Sequence, residues 1–367
     1  MVRSLVLNPI YLVLMLQRLT IEIPQAQPTI LEDGRVRFEL HAPGAGKVLL
    51  NGLGQSESLP MKRDSMGNWE VTLGPLLPDL YSYSFLVDGA LTVDPQNPEV
   101  KKWRTLSSLL EIPGPNSDSL HAWRDVAHGA IHRHFYHSQV TGGQRSMLVY
   151  TPPAYQLEPE SHFPVLYLLH GFGDDETAWT EVGRSHFIQD NLLSENRCQG
   201  MIVVMPNGHP LDIPPDTAFD HYAPDNLRAM TAEMRQEIMP YIKHHYRTLE
   251  GRDHRAIAGL SMGGGHALEI GLKHPELFGW VAGFSSAAPF EELDRTWGPL
   301  GPKWEAAPPK LLWMACGKED FLLERNQVFV NWLEASGIEH QWHVSDGGHE
   351  WRVWRRYLTS LLPSLFQ

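Results

Sequence analysis

The chain has 367 residues, room for two domains, and its 42% hydrophobic and 20% charged content is that of an ordinary folded protein. A formal net charge of −13 argues against nucleic acid as a partner, because phosphate binding needs clustered Lys and Arg. Cys198 and Cys316, with no CxxC or Cys/His spacing around them, supply neither a disulfide framework nor a zinc site.

In chain order, residues 1–27 read as a leader. Arg3 precedes an apolar run from Leu5 to Leu16, and Ala26 offers a small residue before Gln27-Pro28, the outline of a signal peptide. Asn8-Pro9 breaks the run, Arg18 and Glu22 follow it closely, and the run is too short to cross a membrane as a helix. Secretion or export to a periplasm is the expectation, with a cytoplasmic location as the alternative.

Residues 28–113 read as a small all-β, immunoglobulin-like sandwich. Val36 to Leu40 alternates in polarity, Val48-Leu49-Leu50 follows a Pro-Gly-Ala-Gly turn, and Asn68 to Leu73 alternates again. Tyr81 to Val87 does the same before an Asp88-Gly89 turn. Residues 114–124 form a linker on composition, with Gly114-Pro115-Asn116-Ser117 at its start.

From residue 125 to 367 the texture is that of an α/β domain. Two strands, Gly129 to Ser138 and Arg145 to Tyr150, lead to Pro164–Leu169, which is apolar without alternation. That is the mark of a strand covered on both faces in a largely parallel sheet. Met201–Met205, Arg255–Leu260 and Lys310–Ala315 repeat it, and helical patterns lie between at Leu227–Tyr246, Gly264–Lys273 and Glu324–Ala335. Gly208 to Asp225, rich in Pro and Asp, is expected to be irregular.

Gly259-Leu260-Ser261-Met262-Gly263 matches G-x-S-x-G between a buried strand and a helix. A serine on such a sharp turn needs small neighbours two residues away, which Gly259 and Gly263 provide, and makes Ser261 the candidate nucleophile. A serine hydroxyl needs an adjacent base. Of 19 histidines, His349 follows the Asp346-Gly347-Gly348 loop after a strand and comes last in the chain, as the Ser, acid, His order requires. His274, His340 and His343 lack such a loop. The acid belongs on the loop after Lys310–Ala315, where Asp320 is preferred to Glu319 for its later place in the loop; Asp346 is read as a turn residue. The oxyanion needs backbone donors, for which Met262 and Phe172 are the candidates. His170 is read as holding the Phe172 loop, and is kept with Trp179 as a candidate to line the substrate cleft. No metal or other cofactor is expected.

These stretches carry a resemblance. Val149-Tyr150-Thr151-Pro152-Pro153, Leu168-Leu169-His170-Gly171-Phe172-Gly173, Val203-Val204-Met205-Pro206-Asn207-Gly208, Gly259–Gly264 and Gly347-Gly348-His349-Glu350-Trp351 resemble the esterase D / feruloyl esterase group, carbohydrate esterase family 1. Residues 28–113, with Val93-Asp94-Pro95-Gln96-Asn97-Pro98, are similar to an early-set module related to carbohydrate-binding module family 48. The resemblance implies an α/β-hydrolase that cleaves feruloyl or acetyl esters on xylan-type polysaccharide, and places the acid on Asp320. Phe172 is bulkier than a glycine at that position. Two alternatives stand beside it: an enterochelin-type siderophore esterase, and a carbohydrate-binding protein with an inert hydrolase domain. For the latter, Trp69, Tyr81, Tyr83 and Trp103 could stack on sugars, although aromatics at alternate strand positions usually pack in a sheet. Trp351 and Trp354, three apart on the last helix, should face one side of it, toward the core.

Overall fold

The structure, a computed structural model, describes residues 28–55, 57–102, 106–114, 120–213, 219–288, 290, 292–298, 304 and 306–367. The expected leader, the middle of the expected linker and Trp103 lie outside the described residues.

The N-terminal region is all-β, as its alternating segments predict. Val36–His41 pairs with Asn68–Leu73 in one antiparallel sheet, and Val48–Gly52, Asp79–Val87 and Ser107–Ile112 build a second. Val36, Phe38 and Leu40 from the first sheet meet Leu50, Phe85 and Leu110 from the second in one core. Ser107–Ile112 escaped the sequence reading because it does not alternate cleanly. Leu110 enters the sandwich core while Leu109, on the other face, is covered by Leu80 and by Val182 of the α/β domain. The packing also removes Trp69 and Tyr83 from the four aromatics considered for sugar stacking, while Tyr81 stays partly exposed. Trp69 is buried with its Nε1 donating to the Ala42 carbonyl (3.0 Å), and Tyr83 is buried with its hydroxyl donating to Asp94 (2.7 Å).

The α/β domain carries an eight-stranded sheet: β1 (Ala130–His137), β2 (Gln144–Thr151), β3 (Val165–Leu169), β4 (Ile202–Pro206), β5 (Arg255–Leu260), β6 (Trp280–Phe284), β7 (Leu311–Gly317) and β8 (Gln341–Ser345). Their spatial order is β1-β2-β4-β3-β5-β6-β7-β8, antiparallel at β1/β2 and β2/β4 and parallel thereafter. Both faces are covered by apolar side chains, which is why β3, β4, β5 and β7 read as unbroken apolar runs. β6, not foreseen, has the same texture interrupted by Gly283, where a Cβ would sit 2.3 Å from Ser286 Oγ.

The segment expected to be irregular turns helical at its end. A helix runs Phe219–Glu233, through Pro224, and continues by a π turn (Met234–Ile238) into Met239–His245. Tyr222 and Asn226 are buried and hydrogen-bonded one turn apart (2.6 Å), so tertiary packing overrides the proline. Among the described residues no helix is long and apolar enough to cross a membrane.

The last helix, Trp351–Leu361, fastens the two regions together. Arg355, only 2% exposed, donates to the Val182 carbonyl (2.9 Å) on one side, and to Asp79 and the Leu80 carbonyl (3.1 Å) of the β-region on the other. Arg355→Ala takes from Asp79 its buried cation and from the Val182 and Leu80 carbonyls the guanidinium donor. It should cost about 3 kcal/mol, read as an earlier thermal or urea transition against the parent chain.

Candidate active site

β5 ends at Leu260, the helix Met262–Lys273 begins two residues later, and Ser261 makes the turn between them at φ +52°, ψ −117°. Few non-glycine residues adopt this backbone, and it lifts the side chain clear of the sheet edge. Crowding explains the flanking glycines. A Cβ on Gly259 would lie 2.3 Å from the Gly263 carbonyl oxygen, and one on Gly263 would lie 2.4 Å from that of His170. Gly263→Ala should therefore cost roughly 1–3 kcal/mol and displace the serine, seen as a lowered urea midpoint together with lost turnover.

Two loops bring the other residues to Ser261. The loop after β7 carries Asp320, whose carboxylate is wholly buried and accepts the Leu322 N–H (2.8 Å). The loop after β8 carries His349; Gly347 turns it at φ +102° and donates its N–H to Glu319 (2.6 Å). His349 Nδ1 lies 2.9 and 3.1 Å from the two Asp320 oxygens, and its Nε2 lies 3.0 Å from Ser261 Oγ. Burial alone would raise the Asp320 pKa, but hydrogen bonds from His349, Leu322 and Ser285 outweigh it and hold the carboxyl below its usual range. An ionised Asp320 fixes the proton on Nδ1, which leaves Nε2 free to accept the serine proton. Glu319 braces the histidine loop instead of the histidine, and Asp346 faces solvent in an ion pair with Lys318 (2.7 Å). His343 stacks on Trp313 and His340 bonds the Ile338 carbonyl, both away from the serine.

The loop after β3 passes in front of Ser261, and a network largely invisible in the sequence holds it. His170 is wholly buried: its Nε2 accepts the Gly208 N–H (2.7 Å), so Nδ1 carries the proton given to the Gly171 carbonyl (2.8 Å). Burial pushes its pKa down and keeps it neutral, so His170 supports the loop and does not reach the cleft. The Gly173 N–H donates to His209 Nε2 (2.9 Å), and His209 Nδ1 is bonded to the Tyr222 hydroxyl (2.8 Å). Asn226 closes the network by donating to the Gly208 carbonyl (3.0 Å). His209, Tyr222 and Asn226 were missed; the available signal was that His209 directly follows the Pro206-Asn207-Gly208 end of β4.

Trp179 also departs from expectation. It is 1% exposed, donates Nε1 to the Leu169 carbonyl (2.9 Å), and packs edge-on against Trp351 and Phe284. It backs the cleft wall without forming it, because its indole is consumed by core packing. Trp354 is buried as expected, but Trp351 departs from the core expectation: it is only partly covered and reaches the cleft.

Ser261 and His349 open into a cleft of about 800 Å³. Phe172, Phe321, Trp351 and Trp354 line it from the α/β domain, while Leu76, Leu77 and Tyr81 close the opposite side from the β-region. Among the described residues no group of three or more His, Cys, Asp or Glu side chains is placed to hold a metal ion.

Residues 138–365 match the model of the Esterase family. The chain belongs to that family. The esterase is 30% identical over 349 residues, 94% of its length, to an endo-1,4-beta-xylanase/feruloyl esterase of Xylanibacter ruminicola. It spans 46%, about half, of that relative's own length. A CE1 ferulic acid esterase from the fungus Anaeromyces mucronatus, solved with ferulic acid, is 25% identical with a TM-score of 0.59, over 70% of this chain and 98% of the other. The enterobactin esterase of Shigella flexneri is 21% identical with a TM-score of 0.66, over 91% of this chain and 93% of the other, which shows a shared fold. The chain is thus a member of the Esterase family with the α/β-hydrolase fold.

Proposed function

We propose that the esterase hydrolyses feruloyl or acetyl esters on a xylan-type polysaccharide through an acyl-enzyme on Ser261. The observation that carries the mechanism is the unbroken chain from Ser261 Oγ to His349 to Asp320 at the floor of the cleft. Ser261 Oγ attacks the ester carbonyl as His349 Nε2 takes its proton, and the oxyanion is bound by the Phe172 and Met262 amides. His349 returns the proton to the departing sugar hydroxyl. It then deprotonates a water that attacks the acyl-enzyme, and gives that proton back to Ser261 as the carboxylic acid leaves. Asp320 stays ionised throughout and stabilises the imidazolium.

The substrate class is supported by the shape and chemistry of the cleft. Aromatic and aliphatic walls suit a planar phenolic acyl group, and the open side leaves room for a sugar. The xylanase/feruloyl esterase relative points the same way. A polysaccharide substrate is met outside the cell, which accords with a secreted or periplasmic enzyme. The similarity of fold to an enterobactin esterase keeps a siderophore ester as the second reading. A net charge of −13 disfavours so anionic a ligand.

The deciding assay offers methyl ferulate and acetylated xylan side by side, with 4-nitrophenyl acetate as the generic ester. Ferulate release supports a phenolic pocket, and selective deacetylation supports a small acyl pocket narrowed by Phe172. Turnover of the nitrophenyl ester alone discards the polysaccharide substrate and keeps the esterase.

A further inference from the structure

We propose that Lys101, on the short strand Val100–Lys101 of the β-region, is a positioning residue for ester hydrolysis: it holds Asp174, and Asp174 fixes the turn that carries the Phe172 amide. The proposal rests on the oxyanion reading of that amide. Lys101 Nζ lies 3.3 Å from Asp174 Oδ1, and the two side chains are only 12% and 6% exposed. The Asp174 N–H donates to the Gly171 carbonyl (3.2 Å), closing a tight turn with Phe172 and Gly173 at its centre. Gly173 takes φ +80° there. Carboxylate and oxyanion donor therefore sit on one small unit, two residues apart, and cannot move independently.

Burial raises the Asp174 pKa, and the Lys101 ammonium is the largest influence opposing it. Without that cation the carboxylate must take up a proton or swing toward solvent, because an uncompensated buried charge is costly. Either change loosens the turn. His170 and His209 anchor the same loop from within the α/β domain. Lys101 anchors it from a different part of the chain, so seating of the β-region is coupled to oxyanion geometry as well as to the outer cleft wall. Lys102, the next residue, also crosses the boundary to reach Glu181 (2.9 Å), but the two side chains are 54% and 34% exposed, so that pair is much more open to solvent than Lys101 and Asp174.

The test uses the whole chain and 4-nitrophenyl acetate, whose small acyl group makes little demand on the cleft wall. Losing an oxyanion donor outright costs roughly 100- to 1,000-fold in kcat, so loosening one should cost about tenfold. Lys101→Met is expected to lower kcat by about tenfold with KM within about twofold, Lys101→Arg to recover most of the loss, and Lys102→Met to match the parent. Should Lys101→Met fold poorly, Asp174→Asn preserves shape without the charge and should show the same fall in kcat at constant KM. Parental kcat in the folded Lys101→Met or Asp174→Asn variant overturns the proposal. So does an equal loss in Lys102→Met, which would mark a general docking effect. Ser261→Ala run alongside separates the two levels: its inactivity with an unimpaired Lys101→Met leaves the active-site assignment standing and removes only this one.

Discussion

Ser261→Ala should lower kcat by about a millionfold while leaving the thermal transition close to that of the parent. The substitution deletes one hydroxyl whose hydrogen-bond partner is His349 (3.0 Å), and leaves the packing of Gly259 and Gly263 untouched. The remaining site keeps its cleft and the Phe172 and Met262 amides proposed for the oxyanion, so turnover above the uncatalysed rate can persist by water attack, with His349 as base. Quenched-flow with a nitrophenyl ester provides the sharper readout: the parent should give a burst of nitrophenol equal to the enzyme concentration if deacylation is slow, and the variant no burst. A variant that keeps substantial steady-state activity would remove Ser261 from the nucleophile role.

Asp320→Asn should lower kcat by about 10,000-fold with the protein still folded. The asparagine is nearly isosteric, but its amide can present N–H toward Nδ1 and so turn the imidazole to the tautomer with its proton on Nε2. That nitrogen could then no longer accept from Ser261. The buried site also loses the negative charge that stabilises the imidazolium. Glu319→Gln is the informative contrast. Its carboxylate receives the Gly347 N–H (2.6 Å), a bond the glutamine carbonyl can still accept, so activity should stay within about threefold of the parent. If Glu319→Gln were the damaging change and Asp320→Asn were not, the acid would have been misassigned between neighbouring residues.

Much of the site was legible because the chemistry imposes local sequence constraints. A serine at φ +52° needs glycines two residues to either side, and a histidine brought in on a short loop needs the Gly347-Gly348 turn; both leave marks within a few residues. The choice of Asp320 over Glu319 was also reachable, since the residue nearer the apolar Phe321-Leu322 is the one that gets buried. Networks built from distant segments leave no such mark. His209 and Tyr222 look like ordinary polar residues in a segment expected to be irregular, and Asn226 directly follows it; only their convergence on Gly173 and Gly208 shows what they hold.

The sequence by itself determined an all-β stretch followed by an α/β one, and the chain order of Ser261, Asp320 and His349, the candidate nucleophile, acid and base, because periodicity and turn chemistry are local properties of a chain. Only the tertiary structure decided which aromatics see substrate. Trp179 and Trp351 look alike in sequence, yet one is sealed in the core and the other reaches the cleft. Only the tertiary structure, too, set Leu76, Leu77 and Tyr81 opposite Ser261, and Lys101 beside Asp174. Those pairings depend on how one folded surface seats on another, through Arg355 and the apolar contact of Leu80, Leu109 and Val182. Such seating is fixed by shape and burial summed over both surfaces, which no short stretch of sequence encodes.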